Sequence, residues 1–177
     1  MIKIFAPLYR LLDVPIVYDL LQRSNPATVG LFKDKLLDNV KVSKAQKILD
    51  IGCGTAQFWQ YFKEADYYGI DININYVKVA KQSTNGRYAI MNGKMMAYAD
   101  NYFNSAFCVA TFHHMTDEVI VETISETLRV LKPDGALHIV DLILPESFIK
   151  SPINSFIFHL DRGRCPRRGS TLNALLV

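Results

Sequence analysis

Apolar residues recur along this chain in two rhythms. Val14, Ile16, Val17, Leu20 and Leu21 fall at helical spacing behind Asp13 as a cap and Pro15 in the first turn. Ser24-Asn25-Pro26 breaks that pattern, and a second helix is predicted from Thr28 to Val40 with Val29, Phe32, Leu36 and Leu37 on one face. Short apolar runs of strand length then take over: Ile48, Leu49 and Ile51, followed by Asp66 to Asp71, Tyr88 to Met91, Ser105 to Phe112 and Ala136 to Leu142. Helical patterns separate them at Gln57 to Phe62, Tyr76 to Gln82 and Asp117 to Leu131, the last with Val121, Ile124, Leu128 and Leu131 on one side. Lys132-Pro133-Asp134-Gly135 ends that helix as proline and glycine should. Strand and helix in alternation predict an α/β fold: a doubly wound, mostly parallel, Rossmann-like sheet of about five strands with helices on both faces.

Length changes this picture little: 177 residues make one domain with a sizeable core. Within it we delimit a helical cap over residues 1–45, a core over 46–145, and a C-terminal helix with an incomplete tail over 146–177. Half the residues are hydrophobic and 21% are charged, which excludes a disordered chain. The net charge of +3 is too mild to imply nucleic acid. Cys53, Cys108 and Cys165 are odd in number and contain no C-x-x-C pair, so neither a disulfide framework nor a zinc site is predicted and a reducing, cytoplasmic setting fits. Lys3, Pro7, Arg10, Asp13 and Pro15 interrupt the apolar N-terminus, which argues against a signal peptide. No run approaches the roughly 20 apolar residues that span a bilayer, so no membrane partner is expected.

Chemistry concentrates where the first strand breaks, at Asp50-Ile51-Gly52-Cys53-Gly54-Thr55. Glycine admits unusual backbone angles and lets a bound molecule approach the main chain. The N–H groups opening a following helix would point into the same space. A nicotinamide-type turn would carry a third glycine where Gln57 stands. The stretch instead resembles the Asp-x-Gly-x-Gly-Thr motif of class I S-adenosylmethionine-dependent methyltransferases. That resemblance implies S-adenosyl-L-methionine as cofactor, strand order 3-2-1-4-5, and Asp50 with the backbone of Gly52 and Gly54 around its methionine part. Cys53 is then a small residue facing the cofactor.

Further segments match the same family in order over residues 47–142. Gly69-Ile70-Asp71-Ile72 resembles its Gly-x-Asp-x pattern, which makes Asp71 the acceptor for the ribose diol; a helix N-cap is the alternative role, and the two can coexist. Asp100-Asn101-Tyr102-Phe103-Asn104 resembles Asp-x-Ser-Phe-Asp and sets the register that puts Asn92 where an acid commonly meets the adenine amino group. Ile72, Gly93 and Ala110 complete the implied cofactor set. Met95, Met96 and Tyr98 either wall the adenine or fill the core. Thr111-Phe112-His113-His114-Met115 resembles the Leu-His-His segment after the fourth strand, and Arg129 to Gly135 the Leu-x-Pro-Gly-Gly turn. His114, and less so His113, is the candidate general base, since an imidazole titrates near neutrality; shaping the pocket is the plainer role. Adjacent histidines without an acidic partner nearby in sequence do not suggest a metal.

The family carries seven strands, the last two an antiparallel hairpin beside strand five. After Leu142 this sequence offers a helix from Glu146 to Leu160, a basic stretch, and a helix-like Leu172 to Val177, leaving no room for both strands. An uncovered fifth strand would pair with a second copy or a partner chain. The reading is methyl transfer to a small-molecule acceptor. Its rivals are a catalytically idle cofactor-binding partner subunit and a nucleic-acid-directed module using Arg162, Arg164, Arg167 and Arg168.

Overall fold

The computed structural model describes residues 26–40, 43–144, 165 and 167–175. The expected helices before Pro26 and from Glu146 to Leu160, and the basic residues Arg162 and Arg164, lie outside the described residues.

The elements run α1 (Pro26–Asn39), β1 (Lys47–Ile51), β2 (Asp66–Asp71), α2 (Ile74–Ser83), β3 (Arg87–Ile90), β4 (Phe103–Val109), α3 (Asp117–Val130), β5 (Leu131–Val140), β6 (Ile143–Leu144), β7 (Arg167–Arg168) and α4 (Gly169–Leu175). The main sheet has the expected order, β3-β2-β1-β4-β5, and its pairings are parallel. Alternation within each strand separates two apolar layers. Ile48, Tyr67, Phe107 and Val109 face one side, where Leu36 and Val40 at α1 and Val77 and Ala80 of α2 cover them. Leu49, Ile51, Ile70, Ala106 and Cys108 face the other, under Ile120 and Val130 of α3. Burial on both faces explains why β1 reads as a nearly continuous apolar run.

The structure corrects four expectations. Gln57 to Phe62 is not an α-helix: Trp59, Tyr61, Phe62 and Ala65 each donate to the carbonyl three residues back, and only Trp59–Tyr61 forms a 3-10 turn. Ala56, at φ +64°, interrupts the helical path just before it. In α3 the buried positions are Ile120, Thr123, Thr127 and Val130, so the predicted apolar stripe is rotated by about one residue and Val121 and Leu128 are exposed. Thr127 can lie inside because its hydroxyl donates to the Thr123 carbonyl at 2.6 Å.

Lys132 to Gly135 does not simply end the helix. It bulges within β5, between the pairings of Leu131 with Phe103 and of Ala136 with Ser105. A Cβ on Gly135 would come 3.0 Å from the Lys132 carbonyl oxygen and 3.1 Å from that of Asn104, so the bulge depends on glycine. Lastly, β6 and β7 form a small parallel sheet of their own, and α4 starts earlier than the pattern of Leu172 to Val177 suggests. No helix among the described residues is long and apolar enough to cross a membrane.

Candidate functional site

Parallel strands deliver their C-terminal ends to one edge of the sheet, and the candidate residues gather there. After β1 the chain turns through Gly52 at φ +74° and Gly54 at φ +53°. Strand β2 holds this turn closely: Gly52 and Cys53 both donate to the Ile70 carbonyl, at 2.8 and 3.0 Å, and Gly54 donates to Asp71 Oδ2 at 2.9 Å. The other Asp71 oxygen accepts from Asn73 at 2.7 Å. Asn73, not Asp71, caps α2, its side chain accepting from the Asn75 N–H at 2.9 Å. The alternative role of Asp71 as a helix cap is thereby taken by its neighbour.

These bonds decide what the turn can bind. A phosphate needs free N–H donors, and the donors of Gly52, Cys53 and Gly54 are spent on β2. No α-helix follows to add its dipole, which removes the anion-binding argument made from sequence. Carboxylates remain, and a carboxylate has more lone-pair sites than Asp71 uses on Gly54 and Asn73. The site suits a ligand rich in hydrogen-bond donors, and S-adenosylmethionine offers an ammonium, a ribose diol and an adenine amino group. Burial raises the pKa of Asp71, against the backbone N–H bonds that lower it.

Asp50 lies beneath the turn, 2% exposed, and accepts the Tyr67 hydroxyl. Burial pushes its pKa up to about 7; the Tyr67 bond opposes that shift and the Asp71 charge adds to it. The same burial drives the Tyr67 phenol well above its ordinary value. Cys53 points into the core, where its sulfur would lie 2.9 Å from a Cβ on Gly69, and burial raises its thiol pKa. Its part in any ligand site is therefore through the backbone shape of the turn.

The third and fourth strands bring the remaining candidates. Ile72 is 76% exposed beside Asp71. Asn92 is exposed, and its amide oxygen accepts from the Lys94 N–H at 3.1 Å. Gly93 is buried where a Cβ would meet Thr123 Cγ2 at 2.9 Å, so its small size brings this loop against α3. Met96 belongs to the core and Tyr98 packs edge-on to Tyr68 and Phe103, whereas Met95 is 80% exposed. Arg129 holds the loop from beneath, donating to the carbonyls of Met96 and Tyr98 at 3.0 Å and pairing with Glu126 and Asp100.

After β4, Ala110 takes φ +50° and donates to the Val140 carbonyl at 2.8 Å. Thr111 then lies against the first turn: a Cβ on Gly52 would fall 2.4 Å from its Cγ2. The 3-10 turn Phe112–His114 carries both histidines, with His113 buried, His114 exposed and their rings 4.1 Å apart. The site thus brings Gly52, Gly54, Asp71 and the His113–His114 loop together. Sequence reasoning missed Tyr67 and Asp141, gave Thr111 no role of its own and read Arg167 only as a nucleic-acid contact, because all four act through contacts remote along the chain. Among the described residues no group of three His, Cys, Asp or Glu side chains could hold a metal.

Residues 49–139 match the model of a methyltransferase domain. A methyltransferase of Synechocystis sp. is 29% identical over 144 residues, covering 78% of this chain and 68% of the relative. "Probable methyltransferase ltbC" of Aspergillus luteorubrus is 33% identical over 119 residues, covering 58% of this chain and 42% of the relative. The chain therefore spans less than half the length of that second protein. Among solved structures, a SAM-dependent methyltransferase from Archaeoglobus fulgidus superposes with a TM-score of 0.70 at 23% identity, over 90% of this chain and 72% of the other, a likeness of fold. With half of its residues inside the family's domain and the fold of a solved SAM-dependent methyltransferase, the chain belongs to the class I S-adenosylmethionine-dependent methyltransferase family.

Proposed function

We propose that the chain methylates a small molecule at oxygen, nitrogen or carbon. The observation that carries this reading is the contact between Gly52 and Thr111, which sets the His113–His114 loop directly against the turn suited to the cofactor. S-adenosylmethionine supplies an activated methyl group on a sulfonium. Asp71 would accept from its ribose diol, Asp50 and the turn backbone would surround its methionine part, and Asn92 would accept from its adenine amino group. Methyl transfer then asks the protein chiefly to align a nucleophile and to take up its proton where one is lost. His114 is exposed on the loop beside that turn and is the candidate for the proton.

A small acceptor fits better than a nucleic acid. Of the arginines in that rival reading, Arg168 is exposed, whereas Arg167 is half-buried and turned inward onto Asp117 and three backbone carbonyls. The sequence also lacks an Asn/Asp-Pro-Pro-Tyr segment after β4 and a Pro-Cys nucleophile. Incubating the protein with labelled S-adenosylmethionine and panels of small hydroxyl and amine compounds, and then separately with RNA and DNA, tests the assignment. Label transfer to a small compound supports it, and transfer only to nucleic acid overturns it. Self-association belongs to the same proposal: β5 lies at the edge of the sheet and carries half-buried Leu137, Ile139 and Val140. Sedimentation showing a dimer at micromolar concentration supports pairing through that edge, and a persistent monomer removes it.

A further inference from the structure

The loop bearing the two histidines is held from both sides by residues that lie far from it in sequence. Asp141, just beyond β5, takes its N–H groups: Oδ2 accepts from Phe112 at 2.6 Å and from His113 at 3.2 Å. Oδ1 accepts from Leu142 at 2.6 Å and lies 2.5 Å from His113 Nδ1. Arg167 takes the loop's carbonyls: its guanidinium donates to Phe112 O at 3.1 Å, to Met115 O at 2.6 Å and to Cys165 O at 2.8 Å, and is fixed by Asp117 at 2.5 Å. Cys165 adds a bond from its own N–H to His113 O at 3.0 Å. The side chains of His113 and Asp141 are 4% and 2% exposed.

We infer that Asp141 and Arg167 are positioning residues that fix the His113–His114 loop, with His113 as its anchor and His114 as the exposed ring it presents. This rests on the methyltransferase reading for what His114 does, though not for how the loop is held. The proton on His113 follows from the bonding. Asp141 accepts three backbone N–H bonds, as an ionised carboxylate does, and an ionised carboxylate has no proton to donate to Nδ1. Nδ1 of His113 must therefore be the donor. A histidine locked in this way, buried and committed through Nδ1, is a poor candidate for shuttling protons, and its ring packs against that of His114. Arg167 complements the arrangement because its forked guanidinium reaches several carbonyls at once, which the point charge of a lysine cannot do.

Imidazole nitrogen NMR on the full chain tests the inference without an acceptor substrate. Wild-type His113 should show a protonated Nδ1. In Asp141→Asn the carboxamide presents an N–H₂ group toward Nδ1, so His113 should change to the Nε2–H tautomer and the His114 signals should shift or broaden. Arg167→Lys and Arg167→Gln should both disturb His114 while leaving Nδ1 of His113 protonated; these variants carry the test should Asp141→Asn fail to fold. An unchanged His113 tautomer in folded Asp141→Asn, or unchanged His114 signals in the Arg167 variants, overturns the assignment. Calorimetry with S-adenosylmethionine on the same samples separates the two layers. Absence of binding to the wild type defeats the methyltransferase reading and leaves the NMR result standing. Affinity within about two-fold of wild type in the variants, together with altered histidine signals, locates the effect in the loop.

Discussion

Asp71 Oδ2 accepts the N–H of Gly54 at 2.9 Å, joining the end of β2 to the turn after β1 across seventeen positions of sequence. The bond lets Asp71 shape the glycine turn, and in the proposed function its remaining lone pairs accept from the cofactor. Asp71→Ala removes the acceptor for Gly54 and Asn73 together. The variant should lose about 1–3 kcal/mol of folding stability, the cost of leaving buried backbone donors unpaired. Urea unfolding measures this, and Asp71→Asn, which keeps one acceptor oxygen, should fall between the two.

Gly52→Ala should cost more than backbone strain alone. A non-glycine residue at φ +74° is disfavoured by about 1 kcal/mol. The added Cβ would also lie 2.4 Å from Thr111 Cγ2 and 2.6 Å from its Oγ1, pushing the histidine loop off the turn. Combining Gly52→Ala with Thr111→Gly should recover the part due to the clash and not the part due to φ. Thermal melts of the two single variants and the double variant give that split; strictly additive losses would show that Thr111 and Gly52 are not in contact.

Stability should depend on pH through Asp50. Its folded pKa of about 7 lies above the ordinary 3.8, so between those values the folded chain binds a proton that the unfolded chain has released. Folding is then favoured at the acid end of the window, and this contribution is lost as pH rises from about 4 to 7, by at most about 1.4 kcal/mol per pH unit. Tyr67→Phe removes the bond that eases Asp50 ionisation and should move the upper limit of the window to higher pH. Glu126, held at about 2 chiefly by Arg129, acts in the opposite sense and only below its ordinary 4.5, so the two effects separate along the pH axis. Chemical unfolding of the ligand-free protein at pH 4.5, 5.5 and 6.5 measures the slope, and a rise in stability over that range would contradict the assignment.

Asn92→Asp should preserve the loop and tighten cofactor binding. The Asn92 amide oxygen accepts from Lys94, a bond that a carboxylate makes equally well, and the added charge strengthens acceptance from an amino group. Competitive titration against S-adenosylhomocysteine gives the ratio of affinities; a weaker variant with intact fold would remove Asn92 from the adenine side.

Much of the fold was legible because parallel strands buried on both faces print themselves as short apolar runs, and the turn after β1 because few residues except glycine accept its angles. Local pattern misled where tertiary contacts overrode it. Gln57 to Phe62 has helical spacing, yet the departure of Ala56 from helical angles leaves three-residue hydrogen bonds there. In α3 two threonines occupy the buried face while Val121 and Leu128 face outward, which no hydrophobic stripe could reveal. The partners that build the site, Tyr67 to Asp50, Asp141 to His113 and Arg167 to Met115, are separated by 17, 28 and 52 positions, and only the folded chain brings them together.

The central claim is that the acceptor-lined turn binds S-adenosylmethionine through Asp71. Isothermal titration of the wild type and Asp71→Ala with the cofactor and its demethylated product tests it most directly. The account predicts saturable one-to-one binding to the wild type, weakened in folded Asp71→Ala by about 1.5–3 kcal/mol, the range for hydrogen bonds to a charged group. No binding to the folded wild type, or equal affinity in both proteins, would contradict it.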